Sequence, residues 1–159
     1  MAMSAEDVAA FLDSQRRAHV GTINADGTPH VVPLSYVVID GLVTFWTDPR
    51  SRKVANLRRD PRMTCLVEAG DHFAEFRAAQ LTGRTELGED HDTSLRVGLA
   101  LFERASGRLD DDLRAAVHAL VGDRIALTLH PERVVTWDHR KLPGVRPSQI
   151  GRASCRERV

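Results

Sequence analysis

The chain is short of cysteine, of lysine, of aromatic residues and of net charge. Only Cys65 and Cys155 are cysteines, which excludes a disulfide framework and a cysteine-based zinc site. Basic and acidic residues number 22 each, so nothing global points to nucleic acid or a membrane surface. Eight aromatic residues add little support for a nucleic-acid platform. No apolar run reaches the ~18 residues of a membrane span, and the N-terminus lacks a basic, then apolar, leader pattern. A cytoplasmic location is the expectation. The seven histidines form no HExxH or other close ligand pairing, so no metal is expected. GxSxG, GxGxxG and GxxxxGK[ST] are absent, which removes the usual hydrolase, Rossmann and P-loop signatures. Of the 22 basic residues only Lys53 and Lys141 are lysine. With the abundant alanine this reads as a high-GC coding bias. It leaves two compact ammonium groups in a chain of planar guanidinium forks, and the two are not interchangeable at a specific site.

What is present is a pattern of short strands and turns. Ser4 is a candidate N-cap with Asp7 three residues on, and Val8, Phe11 and Leu12 give a helical face over Ser4–Ser14. Strands follow at Ala18–Asn24, His30–Ile39 and Leu42–Thr47, joined by Asp26-Gly27 and Asp40-Gly41, a meander. Pro33 interrupts the second strand and marks an edge, a bulge or a close approach to the backbone. A second helix spans Ser51–Arg59 and stops before Asp60-Pro61. Met63–Ala69 and Glu75–Leu87 read as strands. Val97 and Leu101 belong to a third helix, and Asp111–Leu120 form a fourth whose acidic start suits the helix dipole. Arg124–His130 and Arg133–Asp138 read as two closing strands. About seven strands with few helices predict a small antiparallel barrel with peripheral helices, mainly β, in one domain over 1–149. Cys65 lies in an apolar strand and reads as a core residue. The final ten residues, IGRASCRERV from Ile150, have no periodicity and resemble a translated sequencing adapter. They are expected to be non-native or a disordered tail.

One stretch concentrates charge. TDPRSRKVANLRRDPR, Thr47 to Arg62, holds six basic residues in sixteen. On a helical wheel Val54 and Leu57 define the buried stripe, Arg52 and Arg59 point away, and Lys53 and Arg58 flank it. Ser51 opens the helix, with Thr47 just before it. Thr47, Ser51, Arg52 and Lys53 thus form a candidate phosphate cradle, because a helix N-terminus presents unpaired N–H groups and partial positive charge. The other reading is a solvated arginine-rich surface helix.

VIDGLVTFWTDPRSRKVANLRRDP resembles the core of the pyridoxamine 5'-phosphate oxidase-like split-barrel flavoprotein family, in register with His30–Ser35 and with the later QLTG. The resemblance covers about Ala18 to Leu87 and resumes at RVVTWDHRKL. Within the family it is greatest to the coenzyme F420-dependent, or deazaflavin-dependent oxidoreductase, subgroup. It implies a split β-barrel of the FMN-binding type, a homodimer, and a flavin-type cofactor at the subunit interface. His30, Val31, Val32, Pro33, Leu34 and Ser35 would lie along the ring and ribityl chain. Trp46 and Thr47 would flank the chain, and Arg52 and Lys53 would hold the phosphate. Trp137 and Lys141 match the segment that reaches the cofactor of the other subunit. On the residues alone, both tryptophans are core or interface aromatics first.

Two departures bear on function. Vitamin-B6 oxidases of this family carry a lysine where this chain has Ser35 and a glutamine where it has Ala78, with Gln80 two positions on. Their loss argues against pyridoxamine phosphate as substrate and favours F420 over FMN. The resemblance then implies hydride transfer between the cofactor and an electron-poor small molecule, with Tyr36 and His139 as proton-donor candidates and no assigned catalytic residue. The alternatives are an FMN-dependent oxidase or reductase, and a non-catalytic flavin, deazaflavin or haem binder.

Overall fold

Two Asp-Gly pairs shape the first half of the barrel. The structure is a computed structural model that describes residues 2–143, so the C-terminal stretch set apart above lies outside the described residues. Strand β1 (Arg17–Ile23) turns at Gly27, φ 84°, into β2 (Pro29–Ile39), and Asp40 and Gly41, φ 52° and 78°, turn β2 into β3 (Leu42–Thr47). Two consecutive positive φ values are what a two-residue hairpin of type I′ demands. Around these strands lie α1 (Ala5–Ser14), α2 (Arg52–Arg59), β4 (Arg62–Ala69), β5 (Arg77–Gly88), α3 (His91–Ser106), α4 (Asp111–Leu120) and β6 (Ile125–Asp138). The six strands close into an antiparallel barrel in the order β1-β2-β3-β6-β5-β4.

Local chemistry fixes the helix ends. Ser4 and Asp7 exchange reciprocal bonds, with Asp7 N–H donating to Ser4 Oγ at 3.1 Å. Asp90 caps α3 by accepting from Thr93 N–H at 2.8 Å, and Asp110 caps α4 by accepting from Leu113 N–H at 3.0 Å. Alternate strand residues fill the barrel: Val20, Phe45, Met63, Val67, Leu127 and Leu129 are all buried. Each such side chain contributes roughly 1.5–3 kcal/mol. Helices α1 and α2 close the two ends with Phe11, Leu12, Val54 and Leu57, while α3 packs over β2, β3 and β6. Cys65 is a core residue, its thiol pushed up to about 12 by burial.

The sequence suggested seven strands and the barrel has six, because the last two are one. Pairing runs without a break from Arg77↔Asp138 to Gly88↔Ala126, with a register shift at Thr82/Gly83 that leaves Glu132 as the extra residue. Pro131 sits in this bulge, where its missing N–H does no harm.

The barrel is split at one place, and that places the site. Strand β2 pairs with β1 over Pro29–Ser35 and with β3 only over Tyr36–Ile39. The next pairs in register, Ser35 with Trp46 and Leu34 with Thr47, do not form. Half of β2 therefore has a free edge facing the end of β3.

Candidate functional site

The free edge has a definite chemistry. Asn24 N–H donates to Thr28 O, and Tyr36 N–H to Arg16 O, which sets the phase of the strand: even-numbered residues of β2 bond toward β1 and odd-numbered ones face the split. Two of those odd residues, Pro29 and Pro33, have no N–H. The edge thus offers carbonyls along its length and donors only at Val31 and Ser35. Of the three possibilities raised by Pro33, the structure selects the edge. The side chains of Val31, Pro33 and Ser35 are exposed, while those of His30, Val32 and Leu34 are half-buried on the barrel side.

At the mouth of the split stands the basic run, and its six charges divide cleanly. Arg50 is paired with Asp48 at 3.1 Å, Arg58 with Glu89 at 2.6 Å and Arg62 with Asp60 at 2.6 Å. Arg59 donates to the Ile23 carbonyl. Arg52 and Lys53 alone of the six have no ion-pair or hydrogen-bond partner among the described residues. Lys53 is half-buried, and desolvation pulls its pKa below the ordinary value, with the Asp48 charge opposing that shift. Ser51 precedes α2 in extended geometry, yet its hydroxyl makes no capping bond. Its Oγ is buried with no partner among the described residues. An N-cap serine normally accepts an amide of the first turn. Here that hydroxyl and the first-turn amides of Arg52 and Lys53 are left for something else, beside an uncommitted ammonium, with Thr47 buried at the adjoining strand end. This donor set suits a phosphate. No acidic residue lies in the first turn.

Residues 4–138 match the pyridoxamine 5'-phosphate oxidase family. The chain belongs to that family. Among solved structures, a conserved hypothetical protein from Mycobacterium tuberculosis is 35% identical, with a TM-score of 0.88 over 95% of this chain and 94% of that one. An F420 reductase aligns with a TM-score of 0.61 at 20% identity, over 79% of this chain and 94% of that chain. The haem storage protein HutZ from Vibrio cholerae aligns at 0.63 and 16% identity, over 84% of this chain and 93% of that chain. The last two share the fold only. No curated protein matches the sequence.

Not every residue anticipated for this family's cofactor faces the split. Trp46 turns its ring outward beneath α3, where Nε1 donates to Ser94 Oγ at 2.8 Å and the ring meets Phe102 edge-on. A Cβ on Gly98 would come within 2.9 Å of that ring, so the helix is fitted to it. Only the Trp46 backbone borders the split. Trp46→Phe is therefore expected to cost about 1–2 kcal/mol of stability through the lost bond to Ser94 and to leave cofactor affinity within about twofold. Denaturant unfolding and ligand titration of one sample check this, and a large affinity loss at unchanged stability would return Trp46 to the site.

Trp137 and Lys141 lie at the far end of the barrel from Ser51. Trp137 pairs with Ala78 beside Phe76, and Lys141 Nζ meets Asp7 Oδ2 at 3.1 Å at the start of α1. Ile125, which pairs with Thr47, is twelve residues before Trp137 on β6, roughly 40 Å of strand path at ~3.3 Å per residue. One chain does not bring these two groups together. Of the proton-donor candidates, Tyr36 is withdrawn. Its hydroxyl is buried, donates to the Leu12 carbonyl at 2.6 Å, and has its pKa raised by that burial. His139 Nδ1 donates to the Phe73 carbonyl at 2.8 Å, and Nε2 has no partner among the described residues. The helical wheel missed Asn56, which lies off the apolar stripe yet is buried. Its Nδ2 donates to Thr22 Oγ1 and Asn24 Oδ1, both at 3.1 Å, tying α2 to the first hairpin.

Proposed function

We propose that the chain is a deazaflavin-dependent oxidoreductase that binds coenzyme F420 with its phosphate on Ser51, Arg52 and Lys53 and its ring along β2. The observation that carries this is the pair of cations beside a buried serine hydroxyl at the first turn of α2, none of which has a side-chain partner among the described residues. The absence of a lysine at Ser35 and of a glutamine at Ala78 supports F420 over FMN, and a structural neighbour described as an F420 reductase agrees. When bound, the cofactor supplies a hydride to an electron-poor acceptor. The protein's part is placement. The cradle would hold one end of the cofactor, the Val31 and Ser35 N–H groups would be available to it as donors, and the side chains of Val31 and Pro33 would give it an apolar bed.

The test is separate titration with F420 and with FMN, followed by ligand fluorescence. Tight F420 binding supports the proposal. FMN binding alone moves the chain to the FMN-dependent side of the family, and binding of neither removes the cofactor reading.

The proposal includes a homodimer. The outer faces of β1, β2, β4, β5 and β6 meet in rows such as Val31–Gly21–Thr64–Thr82 and Pro33–His19–Leu66–Gln80–Val135. Val31 and Val135 are 60% and 37% exposed, and this apolar strip supports a docking face for a second copy. A second copy would also bring Trp137 and Lys141 to the first copy's cofactor. Gly21 tests this without disturbing the fold, since a Cβ there meets nothing closer than 3.6 Å. Gly21→Glu is expected to halve the mass measured by light scattering at unchanged secondary structure. A wild-type monomer would sink the dimer.

A further inference from the structure

We infer that the substrate carries an oxyanion, a carboxylate or a phosphate, and that Arg17 binds it at the end of the β2 bed away from the cradle. The inference rests on the proposed cofactor site, because it assigns the space beyond the ring. Arg17 is the cross-strand partner of Ser35, so its side chain rises on the same face as the exposed Ser35 hydroxyl. Two cavities meet at Arg16 and Arg17. One, of about 510 Å3, is walled by Ser14, His19, Pro33 and Glu68. The other, of about 220 Å3, is walled by Ser35, Tyr36 and Arg104. The larger lies within the ~300–1,000 Å3 of small-molecule pockets.

The three arginines differ in commitment. Arg104 pairs with Asp13 at 3.0 Å and donates to the Gln15 carbonyl at 2.7 Å, and its Nε is buried with no acceptor among the described residues. Arg16 donates to the Arg104 carbonyl. Arg17 has no hydrogen-bond or ion-pair partner among the described residues. It is an uncommitted fork over a cavity, next to a free hydroxyl, at the position where a planar oxyanion would be gripped by two N–H groups. Glu68 is the acid on the larger wall, so an anion settles on the Ser35 side. A bound acid would then lie between Arg17 and the ring, with its electron-poor portion over Pro33.

The probes are 4-nitrobenzoate and its neutral isostere 4-nitrobenzamide, titrated calorimetrically into the cofactor-free protein and again with F420 or FMN present. Wild type is expected to bind the acid about tenfold more tightly than the amide. Arg17→Gln should reduce that ratio to within about twofold, with amide affinity and melting temperature unchanged. Arg17→Lys should keep part of the preference, since charge survives and the fork does not. In the cofactor-free titration Lys53→Ala should leave the ratio untouched. An equal ratio in wild type and Arg17→Gln, binding of neither probe, or loss of the preference in Lys53→Ala each overturns the inference. In the last case the acid sits in the cradle. Failure of F420 and FMN to bind would remove the cofactor reading and leave this ratio to stand or fall alone.

Discussion

Changing Lys53 to alanine is expected to weaken cofactor binding by about a hundredfold, ~2.7 kcal/mol, while the ligand-free protein unfolds no earlier than wild type. The two halves of this result have one cause. Lys53 is half-buried with no ion-pair partner among the described residues, and desolvation, opposed in part by the Asp48 charge, depresses its pKa in the folded state below the unfolded value. The native state therefore binds fewer protons than the unfolded one. This opposes folding in full below the folded pKa and fades as pH rises through the folded pKa toward the unfolded one. Removing the ammonium at neutral pH relieves that opposition, and Lys53→Met, which keeps the stem's packing, should raise the melting temperature. A bound phosphate has the opposite effect: it favours the charged ammonium, so affinity should decline as pH rises through the depressed pKa. Fluorescence titration across pH, with thermal unfolding of each variant, measures all of this. Affinity within twofold of wild type in Lys53→Ala would mean that the basic run is only a solvated helix.

The second large effect concerns stability alone. Gly83→Ala is expected to destabilise the protein by about 3 kcal/mol or more, lowering the melting temperature by roughly 10 °C. A Cβ at Gly83 would sit 2.0 Å from the His130 carbonyl oxygen and 2.9 Å from the Glu132 amide nitrogen. Both are backbone atoms of the bulge in β6, so no rotamer change can clear the clash. The strands must part, and β5·β6 is the longest pairing in the barrel. Gly21→Ala, in the same barrel with its Cβ at an ordinary contact distance of 3.6 Å from the Thr64 carbonyl, is the control and should lose little beyond the ordinary strand effect. Chemical denaturation of the pair gives the difference. Equal stability of the two variants would rule out the close approach.

These cases show which parts of the molecule could be seen in the sequence. Features set by a few neighbouring residues were legible: the Ser4–Asp7 box, the Asp-Gly turns, the bounds of β3 and α4, and the stop before Pro61. The candidate cradle was visible as a motif, because a helix start and its basic residues are contiguous. Its decisive property was not. Which of six cations is left unpaired depends on Glu89, thirty-one residues from Arg58, and on the Ile23 carbonyl, thirty-six from Arg59. Pro131 made β6 look like two strands, since its tolerance depends on a glycine across the sheet in β5. The orientation of Trp46 was hidden for a similar reason. Alternation along β3 gives two faces, but only the later helix α3 decides that its outer face is covered. Arg17 carries no signal of its own in the sequence, because its partner Ser35 is set by register, not by spacing.

The prolines of β2 have a consequence for the molecule's behaviour in a crowded cell. An unpaired strand edge is a template on which another extended chain can add, the first step toward domain exchange or fibrillar aggregation. Pro29 and Pro33 remove every second donor from the stretch left open by the split, so an incoming strand would find half of the donors of its ladder missing. A small ligand needs only one or two well-placed donors and loses nothing. The open seam is thereby selective by the size of what it accepts: hospitable to a small ligand, poor ground for a polypeptide.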